Sequence, residues 1–375
     1  MKKLLALLLV TVMALGMVTC AQATAEAPHY KIGVLNRSVE DAVTSSVKHL
    51  LDHAADALNC ELTYATGNFD VEGQLKDVEN LIAAGVNGIM VMPTVDAGIP
   101  KYFDACKTAG IPMVQFYRYI VDEDNRAALE AEPLYLGTSM PDDVKAGEKM
   151  VQLLKDAGAT NVAMIGSAPG NDATDARQKG FAQAFDAGVA TKIAEYIIPL
   201  GNQSAQQWSE ATNNFLTAYP EMDGIVMSVG AAGGSEATIA AIEQKGAAGK
   251  VKLALFDVPA NSTEAFEKGI LCGVANGMHL DPMISLILMV NKLNGTPLSE
   301  TATKINSDYI YITTHDEDVA YYQYIDSKED GVFCFSTEEI QQMYRFYNPD
   351  FSLEGLQAVA DAWNMDALLT KLGAK

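Results

Sequence analysis

"DVEGQLKDVENLIAAGVNGIMVMPTVDAGIPKYFDACKTAGIPMV", residues 70–114, sets two helical periods and two strands in regular succession. Val71, Leu75, Val78, Leu81 and Ile82 recur at the spacing of one helix face. Asp70 stands where it can cap that helix, and Gly85 where it ends. "VNGIMVMP" then reads as a short apolar strand, "GIPKYFDACKTAG" as a second helix and "IPMVQFY" as a second strand. Continuous apolar strands separated by helices predict a parallel sheet covered on both faces.

The same alternation extends in both directions. Upstream, "KIGVL" at 31–35 is a strand, "VEDAVTSSVKHLLDHAADAL" at 39–58 a helix and "ELTYAT" a strand. Downstream the pattern restarts. "GEKMVQLLKDAG", "DARQKGFAQAFDAG", "WSEATNNFLTAYP" and "SEATIAAIEQKG" are helices, and "NVAMIG", "AEYIIPL", "GIVMSV" and "KLALFD" are the strands that follow them. The expected fold is therefore α/β: two doubly wound parallel-sheet lobes, Rossmann-like, with a short hinge near Tyr135–Ser139. A chain of 375 residues accommodates two such units.

Charge and motifs exclude several classes. The formal net charge is −22 and there is no run of Lys and Arg, so neither nucleic acid nor an anionic membrane surface is an expected partner. "GAAGGS" at 230–235 lacks the lysine of a phosphate loop and the spacing of a dinucleotide loop. It reads as a stretch that clears side chains from a cleft wall. "DEDN" at 122–125 imitates the start of a calcium loop, but its twelfth position would be Pro133. Cys60, Cys106, Cys272 and Cys334 have irregular spacing without a metal or redox motif, and are expected as buried free thiols, a single disulfide being the alternative. No cofactor and no metal are expected, and an exported hydrolase is the weakest of the readings.

The N-terminus points outward. Lys2 and Lys3 precede an apolar run at 4–18 that is shorter than the roughly 20 residues a spanning helix needs. Residues 1–23 thus read as a signal peptide. Two cleavages compete: before Cys20 in "MVTC", with Cys20 lipidated, or after "AQA" at 21–23.

In sheets of this kind ligands sit beyond the carboxyl ends of the strands. Asn36 and Arg37 lie there after the first strand, Tyr117 and Arg118 after "MVQF", and Asp257 after "LALF"; Arg177 opens a helix of the second half. Asn276 and His279 lie in a polar insertion, "NGMHLDP". These eight are the candidate ligand-binding residues. Arg offers forked donors and Asp acceptors, which suits the adjacent hydroxyls of a sugar. Several arginines also suit an anionic sugar derivative. In an open cleft both Arg118 and Arg177 are expected to be solvated.

The sequence resembles the type I periplasmic binding proteins, the sugar-binding branch related to ribose- and galactose-binding proteins. Residues 70–114, "TDARQKGFAQAF" at 174–185, "NNFLTAYPEMDGIVM" at 213–227 and "LALFD" at 253–257 carry the resemblance, which covers about 30–315. It implies closure about three crossovers on a monosaccharide and delivery to an ABC transporter permease. Docking on a receptor kinase or chemoreceptor fits the same lobes. An aspartate–arginine pair common in that family reads Tyr117–Arg118 here, and its later Asn-Asp is replaced by "SVGAAGGSEA", departures that weaken a ribose assignment and leave the sugar open. The implied lobes are 29–138 with 278–306, and 139–277 with 307–330. Residues 331–375 form a helical extension, opened by a capping box from Ser336 to Glu339 and expected on lobe 2.

Overall fold

The computed structural model describes residues 26–36, 42–65, 70–94, 96–199, 203–327, 329 and 331–374. Two six-stranded sheets form the frame. The first has the order β11-β5-β4-β3-β1-β2, the second β12-β10-β9-β8-β6-β7. In the first sheet β1 is Tyr30–Leu35, β2 Cys60–Ala65, β3 Gly88–Val91, β4 Met113–Phe116, β5 Tyr135–Pro141 and β11 Thr303–Ser307. The second contains β6 (Asn161–Ser167), β7 (Thr191–Ile198), β8 (Gly224–Met227), β9 (Lys252–Phe256), β10 (Leu271–Asn276) and β12 (Ile310–Ile312). All pairings are parallel except β10 with β12.

The helices form where the spacing placed them. The helix Val71–Ala83 starts at Asp70, whose side chain accepts from the Gly73 amide at 2.8 Å. The helix Ile99–Ala109 ends at Gly110 with φ 72°, the left-handed stop that glycine adopts without strain. The helix Leu280–Leu293 is apolar almost all round, and its first twelve residues are buried. Such a helix must be covered on every side. It packs on β3, β4 and β5 of the first lobe.

The chain passes between the sheets three times. β5 remains paired with β11 through Pro141, so the first passage falls at Asp142–Asp143. That is later than the hinge expected at Tyr135–Ser139. The second passage lies between β10 and the helix Leu280–Leu293, and the third between Ser307 and Ile310.

The C-terminal extension is not confined to lobe 2 as expected. Its helix Thr337–Gln341 packs on the helix Ala42–Ala57, and Gln341 Nε2 donates to the Ala57 carbonyl. Asn291 Nδ2 donates to the Met343 carbonyl at 3.1 Å. The helix Leu353–Asp361 lies against β11, while the helix Met365–Lys371 meets lobe 2 at β12. Asn291 Oδ1 in turn accepts from the Arg345 amide at 2.9 Å, so polar ties to two helices of the first lobe hold the extension there.

Cys60, Cys106, Cys272 and Cys334 are free thiols. Burial pushes each of them up to about 12. Among the described residues no helix is long and apolar enough to cross a membrane. Cys20 and the whole stretch 1–23 lie outside the described residues.

Candidate functional site

A cavity of about 220 Å³ lies between the lobes at the carboxyl ends of the strands. Four of the eight candidates line it: Tyr117 and Arg118 from lobe 1, Arg177 and Asp257 from lobe 2. The other four do not. Asn36 is buried at the end of β1 and is not part of the lining. Asn276 pairs in register with Ile310 in the sheet. His279 is buried, with Nε2 3.5 Å from Asp326 Oδ1 and its ring beside Tyr321. Arg37 lies outside the described residues.

Tyr117 and Asp257 occupy corresponding places at the ends of β4 and β9. Their amides bond to the neighbouring strands, Tyr117 to the Ser139 carbonyl at 2.9 Å and Asp257 to the Ala275 carbonyl at 3.0 Å. Both have left-handed backbones, with φ 64° and 65°. A tyrosine pays a steric penalty there, which marks a place where the surroundings override local preference. The Tyr117 hydroxyl donates to the Met278 carbonyl on the second passage. Its ring packs edge-on against Phe116.

The arginines are not solvated, contrary to the sequence expectation: each is only 6% exposed. Arg118 Nε lies 3.2 Å from Asp172 Oδ1, an ion pair whose N–H is not aligned for a hydrogen bond, and Nε has no acceptor. Burial pushes Asp172 up to about 6, opposed by Arg118 and reinforced by Asp96 and Asp143. Arg177 is fully engaged on one edge. Nε donates to Asp143 Oδ1 at 2.8 Å, Nη1 to the Ser228 carbonyl at 3.1 Å and Nη2 to the Tyr309 hydroxyl at 2.7 Å. Its guanidinium stacks 4.0 Å from the centroid of the Phe256 ring. Burial opposes the charge, but Tyr309, Asp143 and Asp257 outweigh it and raise the Arg177 pKa.

Sequence reasoning missed Asp143, Asn171, Asp172, Thr174 and Tyr309. Asp143 follows the first passage and Tyr309 sits on the third, both far in sequence from the arginine they meet. Asn171 was within reach, because its side chain caps the helix that carries Arg177. The glycine-rich segment also does more than clear a wall. A Cβ on Gly234 would fall 2.4 Å from the buried Trp208 ring, so glycine there admits the indole.

The architecture and the crevice have relatives. A xylitol-binding protein of Mycolicibacterium smegmatis is 28% identical over 220 residues, 56% of this chain and 58% of that protein. A ribose import binding protein of Bacillus subtilis is 25% identical over 159 residues, 42% of this chain and 49% of that protein. The chain thus matches about half the length of these curated relatives. Among solved structures, an ABC transporter periplasmic solute binding protein from Actinobacillus succinogenes with bound D-allose shares the fold. Its TM-score is 0.65 at 23% identity, covering 78% of this chain and all of that one. A periplasmic ribose ABC transporter structure from Conexibacter woesei has a TM-score of 0.66 at 16% identity, covering 79% and 95%. The family description "Periplasmic binding protein domain" matches residues 32–278, about two thirds of the sequence, and the chain belongs to that family.

Proposed function

We propose that this protein is an extracytoplasmic binding protein that closes its two lobes on a neutral monosaccharide or polyol and delivers it to an ABC importer. The observation that carries the reading is the cavity between the lobes, sized for one small molecule and lined by two arginines, Arg118 and Arg177, and two aspartates, Asp143 and Asp257. Arg118 faces Asp172 and Arg177 faces Asp143, and Asp257 adds a further carboxylate. Such a wall donates and accepts, as hydroxyls require. It holds no surplus of positive charge, which favours a neutral ligand over a sugar acid or phosphate.

The relatives named above are binding proteins, which supports a non-enzymatic role. Export belongs to the same reading, with the signal-like residues 1–23 as its support and Cys20 as the residue a lipid would modify. Ligand contact by Tyr117, Arg118, Arg177 and Asp257 is part of this proposal.

A thermal-shift screen tests it with neutral pentoses, hexoses and polyols in one set and uronic acids and sugar phosphates in another. A ligand at 100 times its Kd stabilises the folded state by roughly 2.7 kcal/mol. A shift confined to the neutral set supports the reading; a shift confined to the anionic set overturns its ligand class.

A further inference from the structure

Asp143, Tyr309 and Arg177 close a triangle at the cavity wall. Asp143 Oδ1 accepts from Arg177 Nε and from the Tyr309 hydroxyl, each at 2.8 Å. The Tyr309 hydroxyl in turn accepts from Arg177 Nη2 at 2.7 Å. One oxygen of the carboxylate is therefore fully occupied. No donor among the described residues reaches the other, Oδ2. Asp143 lines the cavity, and Oδ2 is the acceptor it has left to offer there.

The backbone origin of the two side chains matters as much. Asp143 opens the helix Asp143–Asp156, directly after the first passage between the lobes. Tyr309 stands between β11 and β12, on the third passage. The group that meets the ligand is thus held by hinge residues from two separate crossings. Tyr309 is buried, packs edge-on against Phe256 and lends its ring to Arg177. Its hydroxyl is held neutral, because burial raises its pKa well above the ordinary value.

We propose that Asp143 is a ligand-binding carboxylate whose Oδ2 accepts a sugar hydroxyl, with Tyr309 as the positioning residue that orients Asp143 and Arg177 together. This rests on the sugar-binding reading above. Oδ2 accepts one hydroxyl proton in a charge-assisted bond, shorter and stronger than a neutral one. Tyr309 makes no claim on the ligand; it fixes the carboxylate plane so that the free oxygen points one way.

The test is calorimetric titration of the full chain with xylitol, D-ribose, D-xylose, D-allose and D-galactose, then with monodeoxy analogues of whichever binds. Asp143→Asn should weaken binding by about 10- to 100-fold, and Tyr309→Phe by about 3- to 10-fold. One deoxy analogue should bind the native chain more weakly than its parent sugar, and lose that difference in Asp143→Asn. A merely structural role would leave the analogue pattern unchanged. Native-like affinity in Asp143→Asn, or an unaltered analogue pattern, overturns the proposal. Should Asp143→Asn fail to fold, Tyr309→Phe keeps the ring packing and carries the same comparison; unchanged affinity and an unchanged pattern there overturn it. A native chain that binds none of the five compounds defeats the sugar or polyol reading itself and this proposal with it, whereas binding without an Asp143 effect defeats this proposal alone.

Discussion

The Ser139 hydroxyl donates to Oδ1 of Asp281 at 2.6 Å across 142 residues of sequence. Ser307 donates to the same oxygen at 2.8 Å. Ser139 lies in β5, Asp281 at the start of the helix Leu280–Leu293 and Ser307 at the end of β11. One buried carboxylate oxygen therefore ties together the two strands and the helix that flank the three passages between the lobes.

That carboxylate makes stability depend on pH. Burial pushes Asp281 up to about 7; the two serine hydroxyls work against the shift and Asp143 adds to it. An unfolded aspartate titrates near 4. The folded state therefore binds the extra proton between about pH 4 and 7. Its stabilising contribution is complete below about pH 4 and is lost as pH rises through about 7. Asp281→Asn keeps an oxygen for the serines and removes the titration. Urea unfolding at pH 5 and pH 8 should show the variant gaining on the native chain at the higher pH. Parallel profiles would reject the assignment.

Arg177→Ala should cost stability as well as affinity. It leaves the buried Asp143 without its cation and the Tyr309 hydroxyl without one donor. Breaking a buried pair from one side costs about 3–5 kcal/mol. Arg118→Ala should cost less in the ligand-free protein, since its Nε is not aligned on Asp172. Denaturant melts of the two variants without ligand give the comparison, and equal losses would contradict it.

Trp363 fixes the C-terminal extension to the second passage. Its Nε1 donates to the Gly277 carbonyl at 2.7 Å, and its ring stacks on Phe335 with centroids 5.9 Å apart. Replacing a buried tryptophan by alanine costs about 3–5 kcal/mol. Trp363→Ala should lower the urea midpoint accordingly. A midpoint within experimental error of the native value would show that the extension is dispensable for the fold.

Buried thiols should be silent until the chain unfolds. Cys60, Cys106 and Cys334 are buried and held protonated, with pKa values pushed up to about 12. In a Cys20→Ala background, a thiol reagent at pH 8 should label Cys272 at most in the folded protein and all four thiols in denaturant. Rapid labelling of the native chain at three or more positions would place these cysteines at the surface.

The alternation of helices and strands, and with it the two α/β lobes, was legible in residues 70–114 and their repetition. Apolar periodicity and caps such as Asp70 act over a few residues, so they survive in the sequence. The ends of β4 and β9 were legible for the same reason, which places Tyr117, Arg118 and Asp257 at the carboxyl ends of the two sheets. The partners were not. Asp143 meets Tyr309 across 166 residues, and Ser139 meets Asp281 across 142. No local pattern records which polar groups a hinge will bring together. His279 shows the converse: a polar residue in a polar insertion reads as a ligand contact, yet packing turns it toward Asp326. The C-terminal helices carry their own periodicity, but where they dock depends on the helix Ala42–Ala57, β11 and β12, surfaces that exist only once the lobes are built.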